Sequence, residues 1–233
     1  MYGVSYTNKG GIELSEVQSE EIPTISRKKE IVETPLSKII PPGESGTVKI
    51  DHYVTSEMNS FQSMFGGIGY CPSNLKIVRL CVDGQLMMTN TPAEMDTNME
   101  FIYNAKGDIL IGGLGIGMLL SELDKRNKEY TSITVIEKSS DVIKLVAPYF
   151  PKVKVIEGNI FEWKPEKGTK FDCLYFDIWP SASEDNLPDM SKLHNKFKFF
   201  KKKGGWMGSW MQKTLQARKR TNDRADRCMR FFY

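Results

Sequence analysis

Asp108-Ile109-Leu110-Ile111-Gly112-Gly113-Leu114-Gly115-Ile116-Gly117-Met118-Leu119-Leu120 reads as an apolar strand that breaks on glycines and continues as a helix. Glycines allow a tight turn and let a ligand approach the backbone closely. A G-x-G-x-G spacing by itself says little. With a strand before it and a helix after it, the turn through Gly112, Gly113, Gly115 and Gly117 has the context that a nucleotide site needs. The next strand-like run, 132–137, closes on Glu137, 20 residues beyond Gly117, and Lys138 follows. A carboxylate at that place can accept hydrogen bonds from both ribose hydroxyls of an adenosine. Dinucleotide sites usually space their glycines G-x-G-x-x-G, so the spacing here points to an adenosyl ligand.

Outward from this turn the chain alternates. Strand-like runs at 108–113, 132–137, 152–156, 171–178 and 204–210 are separated by helix-like segments at 117–128, 139–150 and 189–200, and a last helix follows from about 211 to 229. Strands alternating with helices imply βαβ units and a mostly parallel sheet, an α/β fold of the Rossmann-like kind. Upstream, 46–90 reads as a small β unit, with Asp83-Gly84 between two β-rich runs as a hairpin turn. Gly66-Gly67-x-Gly69 lacks a strand before and a helix after, and reads as a flexible loop. Thr91-Pro92-Ala93-Glu94 is a capping box with proline at the first helical position, opening a helix that turns Met95, Met99 and Ile102 to the core. The expected organisation is a polar, loosely structured arm (1–45), the β unit (46–90), and a Rossmann-like ligand-binding domain (91–233).

Three pieces toward the carboxyl side complete the candidate site. Gly158-Asn159-Ile160 follows the third strand, and the Asn159 amide offers a donor and an acceptor for an adenine edge, with Ile160 beside it. Asp177 ends the fourth strand, at the edge where ligands of such sheets bind. A carboxylate there can position or deprotonate a nucleophile. Trp179, next to Pro180, can stack on a flat acceptor or a cation. The same residues also fit a helix cap and a core anchor, and Gly158-Asn159 also fits an ordinary surface turn.

The stretch from about Leu80 to Trp210 resembles the class I S-adenosylmethionine (SAM)-dependent methyltransferase superfamily, most nearly its spermidine synthase-like branch. The matching pieces are Val82-Asp83-Gly84-Gln85, the helix from Thr91, the glycine turn, the Glu137 strand, 157–160 and 171–177. The resemblance implies a Rossmann-like sheet with a small N-terminal β extension, and SAM or decarboxylated SAM as ligand. It implies a transferase in which the glycine turn holds the carboxypropyl end and Glu137 the ribose. Asn159 and Ile160 then flank the adenine, and Asp177 places the acceptor.

The departures are specific. Methyltransferases of this class usually carry an acid where this chain has Ile111. Aminopropyl transferases carry one at Gly115 and an Asp base three residues after the strand-four acid, at Pro180 here. A proline cannot act as a base. Three readings therefore stand: a methyltransferase of unknown acceptor, an aminopropyltransferase, and a non-catalytic protein of this fold that binds nucleic acid or a protein partner.

Composition bounds these readings. The chain of 233 residues holds 40% hydrophobic residues, enough for one full-sized core. No apolar run approaches the roughly 18–20 residues that span a bilayer, and no secretory signal is visible, so a reducing, cytoplasmic setting without membrane contact is expected. Four separated cysteines and two histidines argue against an ordinary structural zinc site, and no metal is expected. From Met190 onward, 13 Lys/Arg stand against 2 Asp/Glu, while the rest of the chain is net acidic. Such a split marks either a solvated pair of helices or a basic surface for nucleic acid or another polyanion. Few residues remain after the fifth strand, so the sheet is expected to stop there. Its open edge would be covered by the N-terminal arm or by a second copy in a homodimer.

Overall fold

A computed structural model describes residues 30–56, 71–127 and 129–230. The described residues from Ile31 onward belong to one compact unit. Most of the expected polar arm, and the loop carrying Gly66, Gly67 and Gly69, lie outside the described residues.

The larger sheet is built from β6 (Gly107–Gly112), β7 (Tyr130–Glu137), β8 (Lys154–Glu157), β9 (Phe171–Phe176) and β10 (Lys201–Ser209). All its pairings are parallel, and the spatial order is β10-β9-β6-β7-β8. The first strand of the series thus lies in the middle, and the chain works outward to one side before crossing to the other. This is the doubly wound, Rossmann-like arrangement expected from the alternation. Its switch point lies between β6 and its two neighbours, where the connections leave a crevice at the carboxyl ends.

Side-chain alternation sorts the core into two layers. Ile109, Ile111, Cys173 and Tyr175 face one side with α4 (Met118–Lys125) and α5 (Ser140–Val146). Leu110, Leu174 and Phe176 face the other, against Leu193 and Phe197 of α6 (Leu187–Phe197). Successive strand residues point to opposite faces, so a strand covered on both sides reads as an unbroken apolar run.

The second sheet packs into the first of these layers. It holds β1 (Val32–Glu33), β2 (Gly43–Ser45), β3 (Val48–Val54), β4 (Leu75–Val82) and β5 (Gln85–Thr89), with α1 (Pro35–Ile39) after β1. The expected arm to residue 45 is therefore structured from Val32 onward. Thr34 caps α1, its hydroxyl accepting from Ser37 N, and Leu36 and Ile40 are buried. The polar surface of this stretch hides two apolar anchors too short in span to show periodicity. The Asp83-Gly84 turn forms as expected, with φ of 50° and 76°, which joins β4 to β5 without a Cβ clash at Gly84.

The helix expected from Thr91 divides at Asn98 into α2 (Pro92–Thr97) and α3 (Met99–Asn104). Asn98 is buried, donates to the Glu94 carbonyl, and accepts the Tyr175 hydroxyl at 2.7 Å. That contact comes from β9, and no local sequence pattern announces it. Beyond β10, α7 (Gln212–Arg230) buries Leu215 and donates from Asn222 to Glu184 at 2.8 Å. Among the described residues no strand pairs with the outer edge of β10. No described helix is long and apolar enough to cross a membrane.

Candidate functional site

The glycine turn is held by its own hydrogen bonds. Gly113 N donates to Ile136 O at 2.9 Å, and Gly117 N to Leu114 O at 3.0 Å. Leu114 N donates to Glu137 Oε2 at 2.8 Å, and Ile116 N to the Met88 sulfur at 3.3 Å. Of the N–H groups from Gly113 to Gly117, only that of Gly115 has no acceptor among the described residues. Gly113 stands at φ 97°, and a Cβ there would run into the carbonyl of Asp177. That glycine lets the ends of β6 and β9 come together. Gly117 heads α4 at φ 72°, and a Cβ there would collide with the Phe150 ring.

Glu137 does more than face the cavity. Its Oε1 accepts Ser139 N at 2.8 Å while Oε2 accepts Leu114 N. One carboxylate thus ties the first βα turn to the second. Each oxygen keeps a further lone pair, so the clamp leaves room for hydroxyl donors from a ligand.

A cavity of about 490 Å³ opens at the carboxyl ends of β6 to β9. Its walls bring together Gly113, Gly115, Glu137, Lys138, Asn159, Ile160, Asp177, Trp179 and Pro180. Gly112 and Gly117 shape the turn from behind and do not line it. Asn159 differs in its bonding from the sequence reading. Its Oδ1 accepts Phe161 N at 3.0 Å and its Nδ2 donates to Glu162 at 3.1 Å, so the amide already caps the turn after β8. One amide hydrogen and one lone pair remain for a ligand.

Asp177 lines the cavity with a carboxylate that accepts no hydrogen bond from any described residue, and its backbone N–H is spent on Gly112 O at 2.9 Å. The residue as a whole is half-buried. Burial pushes this carboxyl up to about 7.

A second acid in the same wall escaped the sequence reading. Glu94 has the sequence position of a capping-box partner, and Thr91 Oγ1 does accept Glu94 N at 3.3 Å. The reciprocal bond to Thr91 N is absent. Thr91 N donates to Thr89 Oγ1 instead, and Glu94 Oε2 accepts both Thr89 N at 2.7 Å and Thr89 Oγ1 at 2.6 Å. The end of β5 thus draws the carboxylate inward. Glu94 is only 6% exposed yet lines the cavity, and its Oε1 takes no bond from the described residues. Burial pushes its carboxyl up to about 8, with the Asp177 charge adding to the push and the Thr89 bonds opposing it.

Met87 and Met88 of β5 and Trp210 after β10 complete the apolar walls. Trp210 is fixed by its indole N–H, which donates to Thr97 Oγ1 at 2.8 Å. These residues reach the site through pairing of the second sheet and the end of the fifth strand. The sequence carries no local signal for that. The cavity is acidic: Glu94, Glu137, Asp177 and Asp189 face it against one cation, Lys138. Among the described residues no group of His, Cys, Asp and Glu could hold a metal ion.

The basic residues of the last 44 positions do not form one face. Lys202, near the start of β10, is bound to Asp108 at 2.9 Å and Asp172 at 2.7 Å. The arginines of α7 lie beyond the other end of the same strand.

No family model matches the chain, and no curated protein matches it. Solved structures do, and methyltransferases recur among them. A SAM-dependent methyltransferase from Clostridium acetobutylicum is 18% identical over 48% of this chain and 45% of that one, with a TM-score of 0.35. A SAM-bound amino pentose methyltransferase from Micromonospora echinaspora is 14% identical, over 50% and 46%, with a TM-score of 0.36. The spermidine synthase of Thermotoga maritima is 19% identical over 73% of this chain and 55% of that one, with a TM-score of 0.43. The chain spans about half the length of each of these three solved chains. The Rossmann-like character of the sheet rests on its own strand order and parallel pairing.

Proposed function

We propose that this protein is a SAM-dependent methyltransferase. The observation that carries this reading is the acidic cavity at the switch point, with Glu137 beside the glycine turn and Asp177 unpartnered opposite it. A pyrophosphate would meet four carboxylates and a turn with one spare N–H, which is the reverse of a phosphate cradle. A nucleoside bearing a positive centre suits the same walls. The remaining lone pairs of Glu137 would take the ribose hydroxyls, Ile160 and the spare valences of Asn159 the adenine, and Gly113, Gly115 and Lys138 the amino-acid tail. SAM, when bound, supplies a methyl group on a reactive sulfonium. The chain's part is placement: most of the rate would come from proximity and orientation.

Asp177 would orient the acceptor or hold its proton, and Trp179 and Pro180 would shape the acceptor's entrance. Methyl transfer is favoured over aminopropyl transfer because Pro180 stands where a base is needed and Gly115 where an acid is needed. Calorimetric titration with SAM and with S-adenosylhomocysteine tests the reading. Binding of at least one is expected, and binding of neither would refute it.

The C-terminal helix supports a separate reading of a partner. Leu215 is buried, and α7 is exposed from Gln216 to Cys228. Arg220, Arg224 and Arg227, spaced by four and three, share one face. Leu215 lies roughly 120–180° away around the helix, so this stripe points away from the body. None of the three forms an ion pair with a carboxylate among the described residues. Guanidinium groups suit bidentate phosphate contacts. The exposed part of α7 lacks the broad apolar face that a membrane-surface helix needs. The partner that fits is therefore a nucleic-acid backbone.

A further inference from the structure

We propose that Glu94 and Asp177 form one anionic subsite on the inner wall of the cavity that takes the positive centre of a bound ligand, with Glu94 setting the preference for a cation over its neutral counterpart. This deepens the SAM reading above and rests on it.

Two carboxylates from distant elements, the first turn of α2 and the end of β9, reach one cavity. Each leaves oxygen atoms without a donor among the described residues: Glu94 its Oε1, Asp177 its whole carboxylate. No described Lys, Arg or His is bonded to either. Buried or half-buried acids with no cationic partner are costly as anions unless a counter-charge arrives. The other ionisable groups around them do not provide one. Glu137 is engaged by two backbone N–H groups, and Asp189 is paired with Lys192 at 2.8 Å. Tyr175, behind the wall, donates to Asn98, and burial pushes its hydroxyl well above the ordinary range. Lys138 lines the cavity without bonding to either acid.

Near neutral pH the pair, raised to about 8 and about 7, keeps at least part of its proton load while the cavity is empty. A cation entering the subsite favours the ionised form, so a proton leaves as the ligand binds. A neutral ligand of the same shape finds no such reward. For a sulfonium cofactor the neutral counterpart is the thioether product, which the subsite would release more readily. A protonated amine on an acceptor has the same chemistry as a ligand for this pair, and the test separates the two sources.

The experiment is calorimetric titration at pH 7 in buffers of different ionisation enthalpy, with SAM, S-adenosylhomocysteine, and propylamine added to the S-adenosylhomocysteine complex. SAM is expected to bind at least about tenfold more tightly than S-adenosylhomocysteine, with release of up to one proton that the thioether does not cause. If the ammonium is the cation held, SAM and S-adenosylhomocysteine bind alike and propylamine binds with proton release. In Glu94→Gln, which keeps an acceptor for Thr89, the cation preference should shrink while S-adenosylhomocysteine affinity holds. Asp177→Asn should act in the same direction. If S-adenosylhomocysteine and SAM bind equally without proton release and propylamine does not bind, the subsite is refuted while the cofactor reading stands. If neither nucleoside binds, the cofactor reading itself has failed.

Discussion

The sulfur of Met88, on the hairpin strand β5, accepts the amide of Ile116 at 3.3 Å, inside the glycine turn 28 residues away. A Cβ built on Gly115, whose φ is 50°, would strike the same sulfur. The smaller sheet therefore closes over the turn, and Gly115 is glycine for two separate reasons. Gly115→Ala should destabilise the protein by about 1–3 kcal/mol through backbone strain alone, and by more through the collision. Met88→Ala should remove the collision and leave the strain. Urea unfolding of the two single variants and the double variant checks this. A coupling of about 0.5 kcal/mol or more is expected, and strict additivity would show that the turn does not rest on Met88.

The acid pair makes stability depend on pH. Glu94 and Asp177 have folded values of about 8 and about 7, above the ordinary 4.5 and 3.8. Between those ranges the native state keeps protons that the unfolded chain has shed, so stability falls as pH rises. The contribution is fully present below about pH 4 and is lost through about 7 to 8. At about 1.4 kcal/mol per unit of pKa the change is on the order of a few kcal/mol per group at most. Unfolding midpoints at pH 5, 7 and 9 should decline in the ligand-free wild type, and more shallowly in Glu94→Gln. A midpoint that rises from pH 5 to 9 would contradict both burial assignments.

Glu137 offers a sharper test of ribose binding than removal of its side chain. Alanine would also free the Leu114 and Ser139 amides that the carboxylate clamps. Glu137→Gln keeps one oxygen as an acceptor but replaces the other with a donor and removes the charge. Affinity for S-adenosylhomocysteine should fall about 10- to 100-fold, as expected for loss of one or two hydrogen bonds to a charged group. Titration measures it, and hydrogen exchange at Leu114 reports whether the turn has loosened. Unchanged affinity with an intact turn would remove Glu137 from the ribose role.

What the sequence made legible was local. The glycine turn, the apolar runs of β6 and β9 and the Asp83-Gly84 hairpin each declare themselves within a dozen residues, because backbone sterics and side-chain alternation act at short range. Glu94 shows the limit. Its spacing from Thr91 fits a capping box, and the hydroxyl of Thr91 behaves accordingly, yet the carboxylate is drawn to Thr89 at the end of β5. The expected helix breaks at Asn98, whose side chain accepts from Tyr175, 77 residues later. Asn159 was legible as a polar residue at the right edge, while its engagement with Phe161 and Glu162 depends on the turn that follows. In each case a partner from outside the local pattern decides where the side chain goes.

The arginine stripe of α7 leads to a prediction about salt. Arg220, Arg224 and Arg227 span about 10 Å of helix at 1.5 Å per residue, a length over which one strand of a nucleic acid presents several phosphates. If each arginine neutralises one phosphate, the logarithm of the binding constant for duplex DNA should fall with the logarithm of salt at a slope of about −2.7, and at about −2 for a single strand. Changing any one of the three to glutamine should weaken binding to all sequences alike and reduce the slope by about 1. Fluorescence anisotropy with labelled DNA and RNA, from low to physiological salt, measures both quantities. Lys202→Gln serves as the comparison, because Lys202 is already bound to Asp108 and Asp172 and should not alter the slope. Binding only to anionic vesicles would redirect the stripe to a membrane surface. A slope unchanged by the arginine variants would show that the helix charges are merely solvated.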